Sequence, residues 1–234
     1  MDVGRSILDP KGVQVDETKV VRATMLAGLL FVVLIIVQGP VLNSSSPTVT
    51  DSAQKIFNYF SKHQGSIKAS AALYGLAMSA VLIWFSGLFR ALRKAEGGSA
   101  GLAVAALGGV VLAAAMSVIT AAVEATTALR VHDLGASGAR FFFTLQELAQ
   151  AGILFGLLVL IGVTATVSLR TGLFARWFAA VSGVLAVVSI VGAFGIGSAS
   201  STIQTLAGVM LSLDTLWVLV VSIWVWRRPE LALP

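Results

Sequence analysis

"GLAVAALGGVVLAAAMSVITAAVE" fills residues 101–124 and carries no charge until its last residue, Glu124. A hydrocarbon core is crossed by about 20 helical residues, and this stretch is long enough and apolar enough to do so. It is also apolar all round, where a surface helix of a soluble domain would show one polar face. Ala105, Gly109, Ala113, Ser117 and Ala121 recur at every fourth position. Small residues at that spacing let a second helix approach closely inside a bilayer. The stretch reads as a packed transmembrane helix.

Five more runs of the same kind flank it, at 23–42, 69–89, 141–169, 173–196 and 203–226. The chain of 234 residues is 57% hydrophobic and 12% charged, about half the charged fraction of a soluble domain. Mean hydropathy is +0.92. The expected fold is all-α, a polytopic transmembrane six-helix bundle spanning 23–226 as a single domain. A polar arm, 1–22, precedes it and a short tail, 227–234, follows. The first run has no small-residue cleavage site and is expected to stay as a helix. The longest connection, 43–66, contains "DSAQKIFNYF" at 51–60, which reads as a short helix. Asp51 would cap it with Gln54 completing a capping box. Ile56, Phe57 and Phe60 give it an apolar side, so that it lies in the membrane interface or lids a cavity.

Charge orients the bundle. Of the 16 Lys and Arg, eleven fall in the arm, the tail and the segments on their side, and five fall opposite. That asymmetry places both termini in the cytoplasm and the chain in the cytoplasmic membrane. Trp224 and Trp226 beside Arg227 and Arg228 make an aromatic and basic anchor at the inner face. The net charge of +5 is thereby matched to anionic lipid headgroups, with no nucleic acid implied. Membrane lipids are the expected surroundings. The small-residue faces, including Gly152 and Gly156, suit a second copy or a partner membrane subunit.

Several chemistries are excluded. The chain has no cysteine, hence no disulfide, thiolate metal site or iron–sulfur cluster. No lysine lies mid-membrane to anchor a Schiff base, and no phosphate-binding loop or hydrolase motif occurs. His63 and His132 fall in connections, and with Glu124 and Glu147 they lack metal-ligand spacing. No cofactor and no metal is expected.

Three carboxylates stand against this oily background. Glu124 ends the 101–124 run, Glu147 lies just inside the next, and Asp214 sits in the middle of the last. At 1.5 Å per residue, the two glutamates are about 8–10 Å below the outer surface on neighbouring helices. Asp214 is near the midplane. Ser117, Thr120, Glu124 and Thr127 form one polar stripe, and Thr144, Glu147 and Gln150, with Gln146 beside them, form another. Facing stripes would make an outward-opening polar cleft rimmed by His63, His132, Asp133, Arg130 and Tyr74. Its expected binding residues are Thr120, Gln146, Gln150, Tyr74 and His132. Glu124, Glu147 and Asp214 would handle protons. A charged acid at a helix centre costs roughly 2.5–3.5 kcal/mol, so Asp214 is expected neutral or hydrogen-bonded, with Ser212 and Thr215 as local candidates. A plainer role for the glutamates is to lock helices through Arg130 and Arg140.

"SLRTGLFARWFAAVSGVLAVVSIVG" at 168–192 and "LWVLVVSIWVWRRP" at 216–229, with an echo in "WFSGLFRALRKAEGG" at 84–98, resemble a group of uncharacterised six-helix bacterial membrane proteins of actinobacterial type. The resemblance implies a multi-pass bundle and carries no activity or site residue. Three functions fit the residues. The first is a membrane protein that binds or moves a small molecule or ion, with protonatable acids as its working parts. The second is an enzyme using a neutral carboxylic acid on a lipophilic, terpenoid or lipid, substrate. The third is an accessory subunit whose acids are internal hydrogen bonds. The shape of the space between the helices separates them.

Overall fold

Asp16 starts the first helix of the computed structural model, which describes residues 16–42, 46–196 and 201–233. Its carboxylate accepts the amides of Thr18 and Lys19 at 3.1 and 3.3 Å, two donors that an unopened helix turn leaves without partners. Helix α1 runs Glu17–Ile36 and closes in a π-helical turn, Val37–Leu42. "Gly39-Pro40" accounts for the change of pitch, because proline has no N–H to give the ladder and crowds the preceding turn.

Helix α2, Ala53–Lys62, is the short helix expected in the 43–66 connection, with a different cap. Ser52 accepts the Lys55 amide at 3.2 Å. Asp51 instead accepts the Thr48 amide at 2.9 Å and the Lys55 ammonium at 2.7 Å, and that ammonium holds its carboxyl below the ordinary range. Gln54 pairs with Asn58 rather than closing a capping box.

Helices α3 (Gln64–Ala95), α4 (Gly101–Thr171), α5 (Arg176–Gly195) and α6 (Ser201–Arg227) follow, with a last 3-10 turn at Pro229–Leu231. The described residues are helical with no strand. The expected runs at 101–124 and 141–169 are two arms of α4, joined without a loop. Their one break is Gly135, at φ 64° and ψ −177°, a conformation open to glycine alone. "ALRVHDL" before it is ordinary helix-forming sequence, so the helix continues past the apolar run until that glycine turns it. His132 and Asp133 therefore ride on helix. The arms fold back on each other, since Gly109 lies against Gly156 and Met116 against Gly152.

The helices close a ring in the order α1, α3, α4, α5, α6 and back to α1. Among the described residues five helices are long and apolar enough to cross a membrane, and the bend divides the 71-residue α4 into two arms. The outward surface fits lipid. Phe194, Val184 and Phe141 are 78%, 65% and 65% exposed, and apolar residues of their kind cover most of the helix exteriors. In water such a surface would drive association. These features are those of a multi-pass membrane protein.

The end of the ring that carries α2 is called the outer end below. At the opposite, inner end, Glu96 accepts the amides of Leu102 and Ala103 at 3.1 and 2.7 Å, capping α4. Arg90 pairs with Glu17 at 2.9 Å, and Lys94 donates to the Glu230 carbonyl at 2.9 Å. Above these contacts Trp84, Phe85, Leu88, Phe174, Val221 and Val225 fill the ring. Trp84 meets Trp217 edge-on at 6.2 Å, and Trp217 Nε1 donates to Ser182 Oγ at 2.9 Å. Around this contact the centre of the ring is filled. The outer half is not.

Candidate functional site

A cavity of about 650 Å³ occupies the outer half of the ring. Its walls come from α1, α3, both arms of α4 and α6. On α3 it reaches from Ser70 to Val81, a depth of roughly 16 Å at 1.5 Å per residue. Val110, Leu160 and Val218 form its floor, above the Trp84–Trp217 contact. Residues 46–49 with Tyr59 and Phe60 of α2 line its outer end.

All three carboxylates line this one space. The α4 bend explains how the glutamates meet. Glu124 and Glu147 stand almost equally far in sequence from Gly135, so folding back brings them to one level, near enough for their charges to interact. No hydrogen bond joins them. Glu147 accepts from Gln150 Nε2 at 2.9 Å, and Glu124 is 9% exposed. Asp214 is 2% exposed and neither of its oxygens has a partner. The local candidates are engaged elsewhere, Thr215 with the Leu211 carbonyl at 2.9 Å and Ser212 with the Gly208 carbonyl at 3.0 Å.

The small-residue stripe divides along its length. Gly109 and Ala113 pack against Gly156, where a Cβ on Gly156 would sit 2.5 Å from the Ala113 amide nitrogen. Farther out, Ser117, Thr120 and Ala121 line the cavity. Thr120 Oγ1 and Gln146 Oε1 are buried there without partners, and Gln150 and Tyr74 complete the wall. The Tyr74 hydroxyl faces Ser117 and Glu124. Of the expected binding residues, four out of five are brought together. His132 is not, being exposed and packed edge-on against Phe57 at 5.7 Å.

The arginines expected to pair with the glutamates do not do so. Arg130 pairs with Asp133 at 3.2 Å on the exposed face, and Arg140 forms no ion pair among the described residues. Locking of the glutamates to these arginines is therefore absent. Among the described residues no Lys, Arg or His lines the cavity. Among the described residues no group of His, Asp and Glu has the arrangement of a metal site.

No protein-family model, curated protein or solved structure matches this chain. Residue roles consequently come from its own geometry.

That geometry adds residues outside the expected set. Helix α2 packs its Ile56, Tyr59 and Phe60 on Ala128, Val131, Ala139 and Phe143 of α4, and Tyr59 and Phe60 cover the outer end of the cavity. Burial pushes the Tyr59 phenol above its ordinary value, against the pull of the Ser46 hydroxyl 3.1 Å away. The amphipathic pattern of α2 signalled a buried face but not its target. Gln38 Nε2, in the π-helical turn after α1, donates to Ser70 Oγ of α3 at 2.9 Å. A glutamine beside Gly39-Pro40 inside an apolar run was the available signal.

Proposed function

We propose that this chain is an integral membrane protein that binds or moves a small molecule or ion through the outer cavity, with carboxylic acids that take up and release protons. The observation that carries the reading is one cavity holding Glu124, Glu147 and Asp214 with no basic side chain among the described residues of its walls. A buried acid without a cation or hydrogen-bond partner costs stability. A structural acid would be expected to have found a partner, and Asp214 has none. In this reading Glu124 and Glu147 form the outer site with Thr120, Gln146, Gln150 and Tyr74. Asp214 is the deeper group whose protonation follows occupancy, and the filled centre of the ring keeps the two membrane faces apart. Both termini are cytoplasmic, in the cytoplasmic membrane of a bacterial cell, and the cavity opens outward. An accessory subunit has no need of such a space.

The absence of native cysteine makes access testable. Thr120→Cys and Gln150→Cys should each react in intact cells with a small water-soluble methanethiosulfonate. Val221→Cys, in the filled centre of the ring, should stay inert. Equal inertness at all three positions would remove the ligand cavity and return the acids to a packing role.

A further inference from the structure

We propose that the cavity takes an amphipathic organic cation, an amine or quaternary ammonium with an aromatic or branched apolar body, whose charged head sits between Glu124 and Glu147. This rests on the cavity being a ligand site and adds the chemical class of the ligand.

Charge gives the sign. Among the described residues the walls carry three carboxylates and no cationic side chain, and Arg130 and Arg140 on the same helix are exposed. An anion would meet the carboxylates of Glu124 and Glu147 without a counter-charge. A neutral molecule would leave the acids as they are. A cation between two carboxylates at one level relieves their mutual repulsion and forms charge-assisted contacts.

Unused hydrogen-bonding groups mark the same place. Thr120 and Gln146 are each 6% exposed, line the cavity beside the glutamates, and leave Oγ1 and Oε1 without partners. Both atoms can accept, which suits a ligand that donates or carries positive charge. Tyr59 and Tyr74 lie close enough to feel the Glu124 charge, and Phe143 and Phe60 complete an aromatic surround. Aromatic faces attract ammonium groups within about 6 Å.

The lining favours an organic ligand over a bare inorganic ion. A hard cation prefers several charged oxygens at short range, and among the described residues no three His, Asp or Glu side chains converge as ligands. A space of about 650 Å³ walled by Phe31, Val32, Met78, Ile153 and Leu157 instead has room and affinity for an apolar body.

The test is isothermal titration of the purified full chain with three probes. Benzyltrimethylammonium should bind. Tetramethylammonium, which keeps the charge and lacks the apolar body, should bind at least tenfold more weakly. Phenylmethanesulfonate, with the same benzyl group and opposite charge, should give no binding at the same concentrations. Glu124→Gln and Glu147→Gln should each weaken benzyltrimethylammonium at least tenfold, whereas Asp133→Asn, a carboxylate outside the cavity, should leave it within twofold. Asp214→Asn should cost less than either glutamine variant. If a glutamine variant fails to fold, Glu124→Asp, which keeps the charge, should retain binding within about fivefold. Equal binding of the anion, wild-type binding in the glutamine variants, or the largest loss at Asp214 would each overturn the proposal. So would failure of all three probes. The ligand-site reading would still stand in those cases if Thr120→Cys and Gln150→Cys react, and falls only if they do not.

Discussion

Asp214 shows what a single side chain can reveal about a membrane bundle. Its two oxygens are buried without partners, and it lines a cavity rather than a helix contact. Leaving such a group unsatisfied costs about 1–3 kcal/mol. Asp214→Leu should therefore raise the melting temperature while abolishing ligand movement, the trade that a site kept for function makes against stability. A lowered melting temperature in that variant would mean that the carboxyl holds the fold together. Asp214→Asn separates the proton from the shape. It should melt within a few degrees of wild type and abolish proton-coupled uptake of benzyltrimethylammonium into proteoliposomes. Full uptake in the Asn variant would remove Asp214 from the mechanism. The three acids were legible in the sequence because a carboxylate inside an apolar run stands out against the cost of burying it. Their partners were less so. Arginines a few residues away could have neutralised the glutamates, and only the helix directions show Arg130 turned toward Asp133 instead. His132 was misplaced for the same reason, since nearness in sequence to a helix end does not say which face a side chain takes.

Helix α4 carries the outer site because it bends at one residue. The apolar runs at 101–124 and 141–169 announced two passes, and their polar stripes announced facing surfaces. The helical path between them was not announced, because it lies beyond the apolar residues by which spans are recognised. Gly135 occupies a region that any Cβ disfavours, and Gly135→Ala should lower stability by about 1–3 kcal/mol. Farther down the arms, Gly156 meets backbone atoms of Gly109 and Ala113, which cannot rotate aside as side chains do. Gly156→Leu should splay the arms and lower the melting temperature by more than Gly162→Leu, whose nearest neighbour is the Ala186 Cβ at 3.6 Å. Comparable losses at the two positions would argue against close arm packing. The same comparison explains α2. Its capping residue shifted by one position from expectation, a detail of turn geometry, whereas its buried face was written plainly in Ile56 and Phe60.

The whole molecule is a ring of helices whose centre is filled around Trp84 and Trp217 and hollow toward α2. Its class was readable from composition, since a surface bearing Phe194 and Trp177 more than 60% exposed is stable only against lipid or a partner. The hollow was not readable, because apolar residues around a cavity look the same in sequence as apolar residues in a core. Orientation rests on the eleven-to-five distribution of basic residues. Ser99→Cys and Pro229→Cys should resist an impermeant thiol reagent in intact cells, while Thr50→Cys in the outer connection should react. Labelling of Ser99→Cys from outside would reverse the topology and with it the outward opening. The most direct test of the account is a density map of the protein purified from its own membrane into lipid nanodiscs. The account predicts an open chamber with Glu124, Glu147 and Asp214 on its walls and non-protein density between the two glutamates. Helices packed solidly through that volume, or glutamates paired to Arg130 and Arg140, would contradict it.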